Sequence, residues 1–492
     1  MSLDTNPTIV DITDMAPDDE ATDVGEVLAK LRSTFACRHP SEAGWRRRQL
    51  QGIIDLVEQN EKRLIAAMAA DVGKPPFDGW LTDLLTTRDE AKFALDHLDE
   101  WMKPTSHRVP LVAKPSKAWT EPQAVGVVLI ISPWNYPVQL LLSPLVGAVA
   151  AGNCAVLKPS ELAPATSALL AKLVPQYLDP EAVTLIEGGV DVTTELLDLE
   201  FDHILFTGSS RVGKVVMAAA AKHLTPVTLE LGGKSPTIVA ADADLKVAAK
   251  RVAWAKYLNA GQTCIAPDYV LVERSVSEPF TTLLLEELGA LRDKAPAASI
   301  VNRDHIARLE GLLEGHGGDE LLPRHTDRAT RVMAPVIVRE PDLDSPIMQE
   351  EIFGPLLPVM AVDSIDEAID FIQARPRPLA LYLFSASRET ERRVLDRTIA
   401  GSVCINHLVY QCAVPSLPFG GVGPSGIGSY HGKAGFDTFS HHKSVLRRST
   451  KGDLSAMYPP YSGTIQMILR RITRWPAKKR TKLSHLRTDG RA

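Results

Sequence analysis

After Gln123 the chain alternates short β-branched runs with alanine-rich stretches, and this alternation limits its fold more than any other feature. The runs "VGVVLII", "CAVLK", "VTLIEG", "HILFTGS" and "VTLELGG" are separated by stretches such as "APATSALLAKLV" and "RVGKVVMAAAAKH". Strands that are apolar along their whole length are buried on both faces, and strands joined by helices run parallel. The expected class is therefore α/β, with a doubly wound parallel sheet. Ligands of such sheets bind at the carboxyl ends of the strands. A second α/β stretch runs from about Ser235 to Asn406. With 492 residues, the chain is long enough for two or three domains.

One segment imitates a membrane span, since no charged residue occurs from Pro122 through Leu157. Pro133, Asn135, Pro137, Gln139, Pro144 and Asn153 interrupt it, so it reads as a buried strand, loop and helix rather than a transmembrane helix. The N-terminal stretch is acidic to about Asp23 and has no basic segment before an apolar one, so no signal peptide is expected. Apolar residues Leu50, Ile53, Ile54, Val57, Leu64, Ile65 and Met68 then recur at helical spacing. Ser41 is a candidate cap for this helix, and Gly73 with Pro75 ends it. The stretch "KPTSHRVPLVAKPSKAWTEPQ" breaks the helical pattern and suits an extended hairpin away from the main body.

The formal net charge of −6 argues against a nucleic-acid partner. Five cysteines without CxxC pairing fit a reducing cytoplasm better than a disulfide framework or zinc ribbon. His441 and His442 lack the spacing of a metal site.

Several short stretches carry chemistry. In "FTGSSRVGKVV" a strand runs through a glycine turn into a helix start, where backbone N–H groups attract phosphate. The pattern GxxxxGK lacks the Walker hydroxyl, because Val215 stands in its place, and a plain connecting turn is an equal reading. Cys264 follows the helical stretch Leu245 to Leu258, in the turn "GQTC". It is either a small buried hydrophobe or a nucleophile. Glu230 ends the strand in "TLELGGKSP", as a cleft-facing carboxylate or as an ion-pair partner of Lys234. Asn135, in "SPWNYP", is an oxyanion donor or a turn cap. "MQEEIFGP" places an acidic pair beside Phe353, to hold a ribose and pack near a flat ring or to form an exposed turn over a core side chain.

Together, "PWNYP", "LKPSE", "FTGSSRVGK", "LELGGKSP", "GQTC", "EEIFGP" and "LPFGGVGPSGIGSYHG" resemble the aldehyde dehydrogenase superfamily in order and spacing, over residues 30 to 450. "AAAKHLTPVTLELGGKSP" and "GQTCIAPDYVL" look most like its class 3 branch, which takes fatty, medium-chain or aromatic aldehydes. The resemblance implies an NAD(P)-dependent oxidation of an aldehyde to its acid through a thiohemiacetal and a thioester. Cys264 would be the nucleophile, Glu230 the general base and Asn135 an oxyanion donor. Cofactor contacts would come from Trp134, Lys158, Glu161, Gly208, Ser209, Gly213, Leu231, Gly232, Glu351 and Phe353. Lys158 and Glu161 would meet the adenosine ribose, Ser209 the pyrophosphate and Glu351 the nicotinamide ribose. An acid at Glu161 favours NAD, although class 3 relatives with "KPSE" also use NADP. No metal is implied.

The implied architecture is a Rossmann-type NAD(P)-binding domain over residues 25–103 and 121–229 and a catalytic domain over 230–430. Segments 104–120 and 431–449 would form an oligomerisation arm of a homodimer, with an acidic tail over 1–24 and a basic extension over 450–492. In that extension Ile465, Ile468, Leu469, Ile472 and Trp475 form an apolar stripe beside Arg470, Arg471 and Arg474. It is expected either to touch an anionic membrane peripherally or to dock on the protein itself. Cys154 and Cys404 read as core, and Cys412, just before the "LPFGG" loop, reads as a small buried hydrophobe, with an approach to the substrate tunnel as the lesser alternative. The rival function, a P-loop nucleotide binder, lacks the Walker hydroxyl and leaves Cys264, Glu230 and Asn135 unexplained.

Overall fold

The computed structural model describes residues 23–37, 42–110, 113–451 and 458–472. By internal contacts the chain divides into two compact units, residues 1–102 with 122–441 and residues 103–121 with 442–492.

The larger unit holds two sheets. In the first, the strands Val127–Ile131, Cys154–Lys158, Val183–Leu185, His203–Gly208 and Val227–Leu231 all run parallel. These are the five β-branched runs of the sequence. Taken in chain order as first to fifth, they lie side by side as third, second, first, fourth, fifth. This is the Rossmann order, with its switch point between Val127–Ile131 and His203–Gly208. A short antiparallel strand, Gly426–Ile427, closes the edge beside Val227–Leu231. The second sheet has seven strands, six of them parallel, and its edge strand Asp319–Glu320 is antiparallel.

The uncharged segment folds as the buried strand Val127–Ile131 and the helix Gln139–Ala151. Pro144 does not break that helix. Among the described residues no helix is long and apolar enough to cross a membrane.

The long helix expected before Gly73 is two helices, Ala43–Gln59 and Glu61–Val72. Asn60, at φ −115°, breaks the turn and donates to Leu56 O (3.0 Å) and Tyr177 Oη (3.0 Å). Glu42 stands at the N-cap without a side-chain bond, and Ser41 lies outside the described residues. Gly73 ends the second helix in the left-handed region, as expected. Asp23 belongs to structure rather than to the tail, because its carboxylate caps the helix Val24–Ala36 through Gly25 N (2.8 Å) and Glu26 N (3.1 Å).

In the smaller unit, Thr105–His107 pairs antiparallel with Ser116–Ala124, the expected hairpin, and Ser440–Arg448 joins them in a three-stranded sheet. Segment 431–449 was expected to be one bridging piece, and it divides. The helix Gly432–Thr438 belongs to the larger unit, where a Cβ added at Gly147 would meet the Gly435 backbone at 2.9 Å. Glycine at 147 is what lets those helices approach so closely, since a Cβ at Gly435 would meet Gly147 Cα at an ordinary 3.6 Å.

Candidate active site

The switch point of the first sheet brings two loops together. Trp134 and Asn135 follow the strand Val127–Ile131, and Ser209 follows His203–Gly208 and caps the helix Ser210–Ala221. That helix presents its N-terminal N–H groups where a pyrophosphate would lie. Gly213, in its first turns, packs on Leu231, whose Cδ2 would sit 2.6 Å from an added Cβ. Lys158 and Glu161 stand beyond the neighbouring strand, 4.0 Å apart, with the lysine buried and donating to Pro159 O (2.6 Å).

Cys264 lies in a turn after the short 3-10 segment Leu258–Gly261, where Asn259, Ala260 and Gly261 have φ of 51°, 52° and 70°. Three successive left-handed residues need outside support, and buried side chains supply it. Asn259 Nδ2 donates to Asn135 O (3.0 Å) and Gln262 O (3.1 Å). Gln262, fully buried, donates to Ser299 O (2.9 Å) and accepts from Val301 N (3.0 Å). Asn135 Nδ2 donates to Gln262 O (3.0 Å), so one amide hydrogen ties the nitrogen to the cysteine loop while the second remains free to donate.

Glu230 is 2% exposed, and among the described residues neither carboxylate oxygen has a hydrogen-bond partner. The ion-pair alternative with Lys234 is ruled out, because Lys234 instead pairs with Asp268 and donates to Ile347 O (2.8 Å) and Glu350 O (2.7 Å). Burial pushes the Glu230 carboxyl well above its usual range. Burial, then the negative fields of Glu351, Glu230 and Cys412, push the Cys264 thiol upward. Burial thus favours the protonated form of both groups, and each stands where its charged form is costly.

Glu351 rests against Gly232, where an added Cβ would lie 2.0 Å from Oε2. Burial foremost, then the charge of Asp268, raises its carboxyl to about 7, while Gly233 N–H, Lys234 and Arg308 pull the other way. The loop is anchored by Ile352 N to Asp268 Oδ2 (2.9 Å) and Arg308 to Glu351 O (3.2 Å). Phe353, at φ 49°, meets the Trp134 ring edge-on at 5.5 Å.

A cavity of about 290 Å³ opens on Cys264, with walls that include Leu81, Leu85, Leu140, Trp254 and Phe419. Cys412 also lines it, the lesser of the two expectations for this residue, with its thiol donating to Val409 O (2.9 Å). Glu230, Glu351 and Phe353 are not among the lining residues, so Cys264 is common to the cavity and to the carboxylate cluster. Cys154 is buried as expected, whereas Cys404, on the sheet-edge strand Ser402–Ile405, is only partly buried.

Sequence reasoning missed the supports. Lys74 is fully buried, donating to Asp83 Oδ2 (2.7 Å) and Asn135 O (2.9 Å) beneath the Tyr136 ring. Asp83 Oδ1 accepts from Val138 N (3.2 Å) and Gln139 N (3.3 Å). This buried pair fixes the loop carrying Asn135. The only sequence signal was a lysine lodged between Gly73 and Pro75.

The family model described as "Aldehyde dehydrogenase family" matches residues 4–445. The chain belongs to the aldehyde dehydrogenase family. Its reaction is the oxidation of an aldehyde to the acid with NAD(P) as acceptor. Rat aldehyde dehydrogenase family 3 member A2 is 46% identical over 446 residues, covering 88% of this chain and 91% of the rat protein. Arabidopsis thaliana family 3 member H1 is 43% identical, covering 90% and 93%. Among solved structures, the substrate-bound AldH of Staphylococcus aureus has a TM-score of 0.88 at 39% identity, covering 92% of this chain and all of that one. An indole-3-acetaldehyde dehydrogenase with NAD+ has a TM-score of 0.80 at 29% identity, covering 86% and 88%.

Proposed function

We propose that Cys264 is the nucleophile of this dehydrogenase, Glu230 its base and Asn135 an oxyanion donor. The observation that carries this reading is the buried, partnerless Glu230 in the field of a thiol that also lines an apolar cavity. The residues present fit a dinucleotide. A capped helix start lies at the sheet's switch point, and a glycine cradle at Gly232 faces Glu351. Ser209 and the following N–H groups would hold the pyrophosphate, Lys158 and Glu161 the adenosine ribose, and Glu351 the nicotinamide ribose. Trp134, Phe353 and Leu231 would flank it.

Glu230 removes the Cys264 proton, and the thiolate adds to the aldehyde carbon. The second amide hydrogen of Asn135 and the Cys264 N–H meet the oxyanion as it forms. When bound, the nicotinamide supplies the hydride acceptor. Cys264 is left as a thioester, Glu230 gives up the thiol's proton to solvent, and it then takes a proton from water as the water attacks the thioester, releasing the carboxylic acid and the Cys264 thiolate. The apolar walls favour medium-chain or aromatic aldehydes, and the acid at Glu161 favours NAD over NADP. The test is reduced-cofactor absorbance with NAD or NADP against aliphatic, aromatic and semialdehyde substrates. Turnover is expected with apolar aldehydes, and none with any pair would overturn the reading.

The same reading takes the three-stranded sheet as the arm of a homodimer, with the domain boundaries given above. Supporting it, the strand Ser440–Arg448 is largely exposed along its length. Light scattering should give twice the chain mass, and a monomer mass would overturn this. Peripheral contact with an anionic membrane is assigned to the C-terminal extension, where Arg470 and Arg471 are exposed in the last turn of the helix Gly463–Ile472 and the side chains of Ile465, Ile468, Leu469 and Ile472 lie outside the description. Arg474 and Trp475 lie outside the described residues. Flotation with anionic liposomes should carry the full chain but not a tail-deleted one, and equal unbound recovery would sink the assignment.

A further inference from the structure

The wall of the Cys264 cavity contains one polar cluster that the mechanism above does not use. Most other polar groups there already have partners. Thr82 Oγ1 donates to Asp78 O (2.7 Å), Thr86 Oγ1 to Thr82 O (2.5 Å), and Tyr136 Oη pairs with Thr263 Oγ1 (2.5 Å). His431 differs. It lines the cavity at 6% exposure, and among the described residues neither ring nitrogen has a hydrogen-bond partner. Its neighbour in the wall is Glu90, 4% exposed, whose Oε2 lies 4.0 Å from His431 Nδ1, too far for a hydrogen bond. Glu90 Oε1 accepts from Gly432 N (2.6 Å) and so holds the backbone on the far side of His431.

The backbone at His431 is strained to keep the ring there. Its φ is 79° with ψ 135°, a combination that side chains other than glycine's rarely adopt. The imidazole stacks on Phe419 at 5.5 Å and 23°, and meets Tyr430 edge-on at 4.4 Å. Strain, aromatic packing and the Gly432 bond all fix a buried ring whose two nitrogens make no hydrogen bond among the described residues. A buried polar group of this kind needs a partner, and the cavity is where that partner would enter.

We propose that His431 and Glu90 form a subsite for a hydroxyl group carried on the aldehyde substrate, separate from its carbonyl. The proposal rests on the reading that this cavity receives the aldehyde. Burial pushes the imidazole down to about 4, so at neutral pH it is uncharged and offers one donor and one acceptor. A hydroxyl is complementary to both. A carboxylate at that point would face Glu90 and Asp89, which also lines the cavity. An ammonium group would lose its hydration against the apolar wall.

The test uses the full-length enzyme with NAD and a series of straight-chain aldehydes, unsubstituted or with one hydroxyl at each successive carbon. The ratio of kcat/KM for hydroxylated against unsubstituted aldehyde should peak at one carbon position, by roughly tenfold and mainly through KM. His431→Phe should flatten the peak, and so should Glu90→Gln, each checked for a cooperative thermal transition. A flat wild-type profile, or a peak that survives in both variants, would overturn the subsite. If neither variant folds, the wild-type profile is decisive: a peak sustains the proposal and a flat profile ends it. Absence of turnover with every aldehyde contradicts the dehydrogenase reading instead.

Discussion

Cys264→Ala should abolish aldehyde-dependent cofactor reduction, lowering kcat by about 10⁴-fold or more, while the protein stays folded. The thiol is only partly buried at the edge of a cavity, so its removal leaves no sealed void. The loop is held by Gln262, Asn259 and Asn135 through backbone carbonyls, none of which involves the cysteine side chain. The expected result is therefore an inert enzyme with an unchanged thermal transition. Cys412→Ala is the control, because that thiol shares the cavity but lacks the field of Glu230 and Glu351 as a cause of its shift. It should keep turnover within severalfold of wild type. Activity lost in Cys412→Ala and retained in Cys264→Ala would transfer the nucleophile's role.

Glu230→Gln should lower steady turnover by about 10²- to 10⁴-fold. Glutamine matches the carboxylate in shape but cannot accept a proton. It also removes a buried group that prefers to be neutral, so stability should hold or rise. The loss should divide between two steps. Thiolate formation slows because the thiol is pushed up and has lost its base, and thioester hydrolysis slows because water loses its activator. Rapid mixing separates them. A burst of reduced cofactor followed by a slow steady phase would show hydrolysis as the step hit harder, whereas a uniformly slow trace would show thiol deprotonation. Undiminished turnover would take both roles from Glu230.

How much of this was legible in the sequence depends on the kind of order involved. Four of the five parallel strands were readable because burial on both faces writes a continuous apolar run, while the edge strand Val183–Leu185 is only partly buried. Their lateral order was not, since crossovers leave no local mark, and it was the order that placed Asn135 and Ser209 at one switch point. The break at Asn60 was hidden because the apolar spacing continues across it, with Leu56, Val57 and Leu64 all buried. Cys264, Glu230 and Asn135 were named from motifs, yet their company in space came only with the fold. Lys74 with Asp83 and Lys234 with Asp268 were out of reach, because a single buried ion pair between distant positions has no periodicity. His431 was equally hidden. Sequence marks left-handed backbone through glycine, and a histidine at φ 79° gives no such sign.

The central claim is that substrate carbon becomes bonded to Cys264 and leaves only when Glu230 activates water. It is tested most directly by mixing Glu230→Gln protein with NAD and an apolar aldehyde, quenching in acid, and weighing the proteolytic peptides by mass spectrometry. The peptide bearing Cys264 should gain the mass of the acyl group, the aldehyde less one hydrogen replacing the thiol proton, and the gain should require NAD. Cofactor reduction with no acyl mass on that peptide, or with the mass on Cys412 instead, would contradict the account.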